Sequence, residues 1–507
     1  MKTRVAWFTA IVITLGLGVA LSQSPAPTGK LVIVQTQDPH SWDPIDTFLL
    51  SWGMVGSNIF DGLVDRGPDL KIKPGLALRW TFLKNNSVIR FTLRQGVKFQ
   101  NGEDFDASAV KFTFDRLLGP EGAKGPQQAN YTAIKQVNII NKYVVDFIMD
   151  RPDPVIITKL AGYGAKIVAP KYYSEVGDEK FNNLPVGTGP FRPTEYVKDD
   201  HLTLEAFPEY WGGSPKVKTV IYRFIPEAAT RVAELQAGRA DIVQGVPVSL
   251  ASVVKGIADA QLVPVGTTTV TELRFNTSMK PMDDIRVRKA MIYAVDRDTI
   301  IKTILQGYGK PIASFQGEIS WGFDPKLKPL PYDPEKAKAL LAEAKVPAGT
   351  ELEIDFTDTD VQFREVAQGI AGYLQAVGMK VNLKTFEQNT YFSDIIPKNK
   401  TGHMYNFGWG GWTLDFDNTA YLLYHKGEYW NPVFSDPKVE TLLEKERSTY
   451  NQKARQKTMQ ELARYLQDIA IEMPLYQGVN LWGMSKRVSG WVVPPDDRNR
   501  LLNVAVK

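Results

Sequence analysis

The chain alternates between stretches with a strand pattern and stretches with a helix pattern. Residues 88–93 (VIRFTL) alternate between two sets of side chains, which predicts a strand with two distinct faces. Residues 351–356, 361–377 and 379–386 follow one another as strand, helix and strand, and Gly378 closes the helix. This order predicts an α/β protein with sheets covered by helices, in which the second sheet is separate from the first.

The same periodicities place the other elements along the chain. Asp106 precedes a helical pattern and is a candidate N-cap. Further helices are predicted at residues 51–60, 106–118, 152–162, 227–237, 281–299 and 333–344, with two more within 436–470. Further strands are predicted at residues 31–35, 137–141, 143–148, 165–170, 202–207, 219–224, 272–276 and 474–482.

The first 22 residues have the pattern of a secretory leader. Lys2 and Arg4 are followed by an almost wholly apolar run, and Ala20-Leu21-Ser22 offers small residues where a signal peptidase cuts. A transmembrane anchor is the alternative, but the run is slightly short for a span. We therefore predict a signal peptide at residues 1–22 and a mature chain that starts near Gln23 in the periplasm or another extracytoplasmic space.

Length and charge narrow the class of protein. A chain of 507 residues is too long for one hydrophobic core, so two or more folding units are expected. Its 60 basic and 56 acidic residues nearly cancel, which gives no electrostatic argument for nucleic acid. The absence of Cys excludes disulfides, thiolate metal sites and lipid attachment through Cys.

The motifs of common enzymes are missing from the sequence. There is no Gly-x-Ser-x-Gly elbow, no phosphate-binding loop and no dinucleotide fingerprint. The four His residues are isolated from one another and from acids at ligand spacing. We therefore predict no catalytic residue, no cofactor and no metal, and a secreted hydrolase remains the rival hypothesis from another functional class.

Several motifs are shared with one protein family. They are Gly187-Thr188-Gly189-Pro190-Phe191, the Tyr210-Trp211-Gly212-Gly213 turn, the LQAGRADI run at 235–242, the LRQGVKFQNG run at 93–102 and the DIRVRKA run at 284–290. In this order they resemble the bacterial extracellular solute-binding proteins of family 5, which serve peptide-type ABC importers.

The resemblance implies a two-lobed α/β fold of the periplasmic-binding-protein type II class. Lobe 1 is expected at 30–266, with an extra subdomain at about 65–183, lobe 2 at 267–478, and a return to lobe 1 at 479–507. It also implies a peptide or similar small solute in the cleft and an ABC permease as partner, with the chain expected to be a monomer. Oligosaccharide and metal-chelate ligands, which other members bind, remain alternatives.

The loop at residues 408–418 (GWGGWTLDFDN) is the most informative candidate site. Two tryptophans bracket two glycines, an arrangement that exposes backbone to a close ligand, although core packing is the alternative. In peptide-binding relatives this loop carries an Asp that holds the peptide amino group. If Asp417-Asn418 is matched to the Asp-Asn that ends the family loop, that position falls on Trp412 here, and the nearest acid is Asp415. A simple dipeptide ligand is therefore less favoured than larger or capped peptides or oligosaccharides.

The predicted ligand-binding set extends beyond that loop. Trp42 tips a rigid turn between two Asp-Pro pairs, and Asn276 ends a predicted strand. The complete set of predicted ligand-binding residues is Trp42, Asn276, Trp409, Gly410, Gly411, Trp412 and Asp415.

Overall fold

The computed structural model describes residues 26–47, 49–67, 69–358, 361–410, 413–493, 495–496 and 498–507. The predicted leader lies outside the described residues. The strands in chain order are β1 (Thr28–Gln35), β2 (Val64–Arg66), β3 (Ile72–Pro74), β4 (Ala77–Leu83), β5 (Val88–Leu93), β6 (Ile134–Asn141), β7 (Val144–Met149), β8 (Phe191–Val197), β9 (His201–Ala206), β10 (Val217–Phe224), β11 (Ile242–Val243), β12 (Ala260–Phe275), β13 (Gly309–Pro311), β14 (Glu351–Thr357), β15 (Lys380–Phe386), β16 (Met404–Trp409), β17 (Glu472–Ser485), β18 (Val488–Ser489) and β19 (Ala505–Val506).

Helices cover the sheets. In chain order they are α1 (Leu50–Ile59), α2 (Ala107–Leu118), α3 (Ile156–Lys159), α4 (Pro170–Asn183), α5 (Ala228–Gln236), α6 (Ala251–Lys255), α7 (Ile285–Ala294), α8 (Arg297–Thr303), α9 (Pro334–Glu343), α10 (Val361–Ala376), α11 (Gln388–Thr390), α12 (Phe416–Tyr424), α13 (Pro437–Arg447) and α14 (Gln452–Asp468). In the described part of the chain, none of them combines the length and apolar character that a membrane crossing needs.

Two long antiparallel strands, β12 and β17, run through both halves of the molecule. Eleven of the described strands form one sheet, in the order β15-β14-β16-β12-β17-β11-β1-β10-β9-β8, with β13 also on β17. The expectation of two separate sheets is therefore wrong. The register of β12 against β17 shifts between Gly266 and Val270. The predicted lobe boundaries at 266/267 and 478/479 fall within these two strands, and we use them to name lobe 1 and lobe 2.

Lobe 1 carries an additional four-stranded sheet of its own. This sheet has the order β4-β5-β7-β6, and its apolar face packs with α2. Phe91, Phe114 and Phe147 are fully buried in its core. Its four strands lie within residues 65–183, where an extra subdomain is expected. After β17, the last residues fold back on lobe 1, where the backbone N–H of Leu501 donates to Asn58.

Asp side chains set the starts of many helices. Asp106 accepts from the Ser108 backbone N–H, as predicted, and Asp333 and Asp436 cap α9 and α13 in the same way. The helix predicted at 281–299 is instead two helices, α7 and α8, because Asp296 accepts from the Thr299 N–H and starts a new one. The apolar periodicity continues through both helices, so only the Asp296 cap inside the pattern reveals that there are two.

The segment between residues 150 and 185 departs most from the prediction. The helix predicted at 152–162 is reduced to the single turn of α3. Residues 165–170 form no strand, only an isolated bridge from Gly62 to Lys166. Helix α4, which sequence patterns did not predict, begins with Pro170 in its first turn, where the missing N–H of proline costs nothing.

Candidate functional site

Two adjoining cavities lie between the lobes. The first, of about 340 Å³, we call the Arg66 cavity; lobe 1 contributes Arg66, 69–72, Pro154 and Thr158, and lobe 2 contributes Ile319, Trp321, 413–415, Gln452 and Arg455. The second, of about 260 Å³, we call the Arg447 cavity; lobe 1 contributes 129–130, 132–133, 151–154 and Lys159, and lobe 2 contributes Asn418, Tyr421, Leu422, Glu428 and Arg447. Pro154 borders both cavities, so together they form one cleft.

The lobes touch each other around this cleft. Arg66 on lobe 1 donates a hydrogen bond from Nη2 to the carbonyl of Thr413 on lobe 2. The backbone N–H of Asp153 donates to the hydroxyl of Tyr450 at 3.0 Å. The Tyr450 ring also meets Phe82 edge-on, with 6.0 Å between ring centroids. The structure therefore shows the lobes in contact across the cleft.

Arg66 is a buried cation at the wall of its cavity. Only 4% of its surface is exposed. Besides Thr413, it donates from Nη1 to the carbonyl of Leu70 at 2.9 Å, while its Nε is buried without a hydrogen-bond partner. Burial, together with repulsion from Arg498, lowers its pKa to about 9. The side chain is therefore still charged at neutral pH.

The lobe 2 wall contains a buried chain of charges. Asp415 caps α12 by accepting from the Asp417 N–H at 3.0 Å. Its two oxygens also accept from Arg455 at 2.6 and 2.7 Å, and Arg455 in turn donates to Glu446 at 2.9 Å. Burial raises the pKa of Glu446 well above its usual range, and the neighbouring Asp417 charge adds to this. Asp415 is thus committed to Arg455 rather than free for a ligand amine.

A second ion pair stands at the Arg447 cavity. Burial alone would raise the pKa of Asp417, but the Arg447 charge at 2.6 Å brings it below its ordinary value. The Arg447 guanidinium lies over the ring of Tyr421, 3.2 Å from its centroid. On the facing wall Lys159 donates to Asp153 at 2.7 Å. Each of these charges is therefore paired within its own lobe.

The predicted loop reaches the cleft, although part of it lies outside the described residues. Thr413, Leu414 and Asp415 line the Arg66 cavity. Gly411 and Trp412 fall outside the described residues, so their contact with a ligand stays a prediction.

The residues before that gap pack within lobe 2. The ring of Trp409 stacks on Phe407 and meets Trp430 at 6.2 Å. Gly410 lies so close to other residues that an added Cβ would be 2.7 Å from Thr269 Oγ1. The space next to the Gly410 backbone, where a ligand was predicted, is therefore occupied by Thr269 in the Thr-rich part of β12.

Trp42 and Asn276 lie in packed positions. Trp42 is 0% exposed, between Phe224 and Tyr196, with ring centroids at 6.3 and 5.8 Å. Asn276 is buried and donates to the carbonyl and hydroxyl of Thr401, both at 3.1 Å. Neither residue is among those that line the two cavities, so a contact of either with a ligand stays a prediction. The core of lobe 1 covers the side chain of Trp42.

Arg66, in the wall of its cavity, and Tyr450, in a contact between the lobes, are two residues that the sequence patterns missed. Arg66 ends the short strand β2, and Tyr450 lies in the connection between α13 and α14. Neither belongs to a motif, and each meets its partner only when distant segments come together. The charged pair Asp65-Arg66 at the end of an apolar run was the available signal for Arg66.

One cluster among the described residues has potential metal-ligand atoms close together. Asp38, His40 and Asp199 bring such atoms within 4.8 Å of one another. The Asp38 carboxylate already accepts from the Tyr196 hydroxyl at 2.7 Å and from the backbone N–H groups of Asp199 and His40 at 2.8 Å. These hydrogen bonds explain why the three side chains lie close together, as part of a structural turn.

Comparison with known proteins adds to this geometry. Residues 71–431 match the family "Bacterial extracellular solute-binding proteins, family 5 Middle". The chain is 27% identical to the dipeptide-binding protein of Escherichia coli K12, covering 86% of each chain. It is also 27% identical to the glutathione-binding protein GsiB of Salmonella paratyphi A, covering 95% of this chain and 96% of that one. The solved structure of HbpA2 from Haemophilus parasuis superposes with a TM-score of 0.84 at 25% identity, covering 94% of this chain and all of that one.

Proposed function

Because this chain belongs to the bacterial extracellular solute-binding proteins of family 5, which serve ABC importers, we propose that it captures a short peptide between its lobes. The bound protein then delivers the peptide to a membrane permease. The observation that carries this proposal is the pair of adjoining cavities whose walls come from both lobes.

The size and lining of the cleft favour a small polar ligand. Ligand pockets usually span about 300–1,000 Å³. The Arg66 cavity, of about 340 Å³, lies at the lower end of that range, and the Arg447 cavity, of about 260 Å³, lies just below it. Their walls mix charged side chains such as Arg66 and Glu428 with backbone carbonyls and apolar side chains. A peptide backbone offers matching polar groups, and its side chains fit the apolar parts. The relatives named for dipeptide and glutathione binding support this ligand class.

Transport requires no bond to be broken by the protein. A ligand that contacts both lobes stabilises the closed conformation by the difference between its affinities for the closed and open forms. The permease then distinguishes loaded from empty protein by shape. We propose that the protein works in this way as a monomer outside the cytoplasm, without catalysis, after removal of its leader.

Native mass spectrometry of protein purified without denaturation tests the ligand class. We expect a bound mass that fragments as a short peptide, and calorimetry with that peptide should then give saturable one-to-one binding. If the bound molecule is an oligosaccharide or a metal chelate, that ligand class replaces the peptide in our proposal. Conversion of a bound peptide into products during incubation would instead indicate the hydrolase.

A further inference from the structure

We propose that the Arg66 cavity binds a carboxylate group of the solute, an inference that rests on the proposed peptide-binding function. Arg66 would donate to this carboxylate from the N–H groups that have no acceptor now. The carboxylate would come either from the peptide C-terminus or from an acidic side chain of the peptide.

The first support is the missing counterion. Among the described residues, no carboxylate lies within ion-pairing distance of the Arg66 guanidinium, although 96% of the residue is buried away from solvent. Its two hydrogen-bond acceptors, Leu70 and Thr413, are neutral carbonyls. A buried cation is costly unless it is paired. The cavity beside it provides the space for an anion from outside the chain.

The second support is the charge balance around Arg66. The cations of this region are Arg66, Lys73, Lys166, Arg498 and Arg500, and the acids whose charges act on them are Asp61, Asp65, Asp496 and, from lobe 2, Asp415. Lys166 faces Asp65 at 3.9 Å. Asp496 forms ion pairs with Arg500 at 3.0 Å and with Arg498 at 3.8 Å. Asp65 and Asp496 are thus paired with other cations, Asp415 is paired with Arg455, and Arg66 has no carboxylate of the described residues in contact with it.

The third support is that acids at this cavity are already paired. Asp69 lies 3.5 Å from Lys71, and each carboxylate oxygen of Asp415 accepts a hydrogen bond from Arg455. An incoming ammonium group would have to displace a cation of the protein. An incoming carboxylate meets a positive charge with donors to spare, and such charge-assisted bonds are the strong ones. The cavity therefore selects for negative charge.

Three sets of probes test the proposal on the full-length mature protein. One is a tripeptide library with free C-terminal carboxylates. The second is the same library as C-terminal amides, split into members with and without Asp or Glu. The third is succinate compared with its dimethyl ester. Binding is followed by thermal stabilisation and calorimetry in wild type, Arg66→Gln and Arg66→Lys. Arg231→Gln is the matched control, because Arg231 is equally buried in lobe 1 and donates only to backbone carbonyls away from the cleft.

We expect wild type to bind the free acids and Arg66→Gln to lose roughly ten- to a hundredfold in affinity, the range for a hydrogen bond to a charged group. Arg66→Lys should retain part of that affinity, and Arg231→Gln should retain all of it. If amides bind only when they contain Asp or Glu, the carboxylate comes from a side chain. If they do not bind at all, it comes from the C-terminus. These wild-type comparisons decide the matter even if Arg66→Gln fails to fold.

Other results overturn one proposal or both. Equal binding of acids and of amides without Asp or Glu would refute the carboxylate site and leave peptide capture standing. If no tripeptide binds, peptide capture fails. The carboxylate site then survives only if succinate, but not its ester, stabilises wild type and not Arg66→Gln.

Discussion

Removal of the Tyr450 hydroxyl should weaken ligand binding without touching the ligand. Tyr450 is not among the described residues that line either cavity, yet its hydroxyl accepts the backbone N–H of Asp153 from the opposite lobe at 3.0 Å. A hydrogen bond of this kind contributes about 0.5–1.5 kcal/mol net. If it forms only on closure, its whole value enters the binding free energy of any ligand that requires the closed form.

Tyr450→Phe should therefore raise the dissociation constant of the native ligand by about two- to tenfold. The ring contact with Phe82 is retained, so the lost energy is that of the hydrogen bond. The assay is isothermal calorimetry with stopped-flow dissociation, and we expect the change mainly in the dissociation rate. Thermal unfolding of the ligand-free protein should hardly change.

Tyr465→Phe is the matched control. The Tyr465 hydroxyl donates to Asp436 at 3.1 Å, and both residues belong to lobe 2. Its removal should lower the unfolding free energy slightly and leave affinity unchanged. If Tyr450→Phe binds as tightly as wild type, or if both variants lose affinity equally, the contact does not contribute to closure and our reasoning is wrong.

Four further predictions follow from the site, the core and the leader. Trp412→Ala should weaken binding by roughly ten- to a hundredfold if its indole stacks on the ligand; unchanged calorimetry with folding intact would assign it to packing. Asp415→Asn should destabilise the fold by about 3 kcal/mol in denaturant unfolding, because Arg455 loses one of its two acidic partners. A selective loss of binding to peptides with a free amino terminus, compared with acetylated ones, would restore Asp415 as an amine anchor. Burial raises the pKa of Asp355 from 3.8 to about 7, so between these pH values the folded state holds a proton that the unfolded chain releases. The stability that this proton contributes is fully present below about pH 4 and is lost as the pH rises to about 7. Asp355→Asn should reduce that fall in the free energy of unfolding by up to about 4 kcal/mol in urea unfolding, and an unchanged pH profile would contradict the assignment. N-terminal sequencing of the secreted protein should start near Gln23, whereas an intact leader on a membrane-embedded product would contradict cleavage.

Features that depend on near neighbours could be predicted from the sequence. The strand at Val88–Leu93 has the predicted bounds, and Asp106, Asp333 and Asp436 cap the helices that follow them. An alternating pattern or a cap involves residues only a few positions apart, so the sequence already contains the whole interaction. The family, and with it the two-lobed fold, was likewise predictable from short contiguous motifs.

Features that join distant segments were decided by the tertiary structure alone. β12 and β17 merge the expected separate sheets into one, and Arg66 meets Thr413 across 347 positions of the chain. Asp415 carried the right charge for an amine anchor, but Arg455, 40 positions away, occupies its oxygens. Whether a buried charge is paired or open to a ligand depends on which segments the fold brings within a few ångströms, because charge interactions in a dry cleft act over that distance. That proximity is a property of three-dimensional packing, and a linear pattern does not contain it.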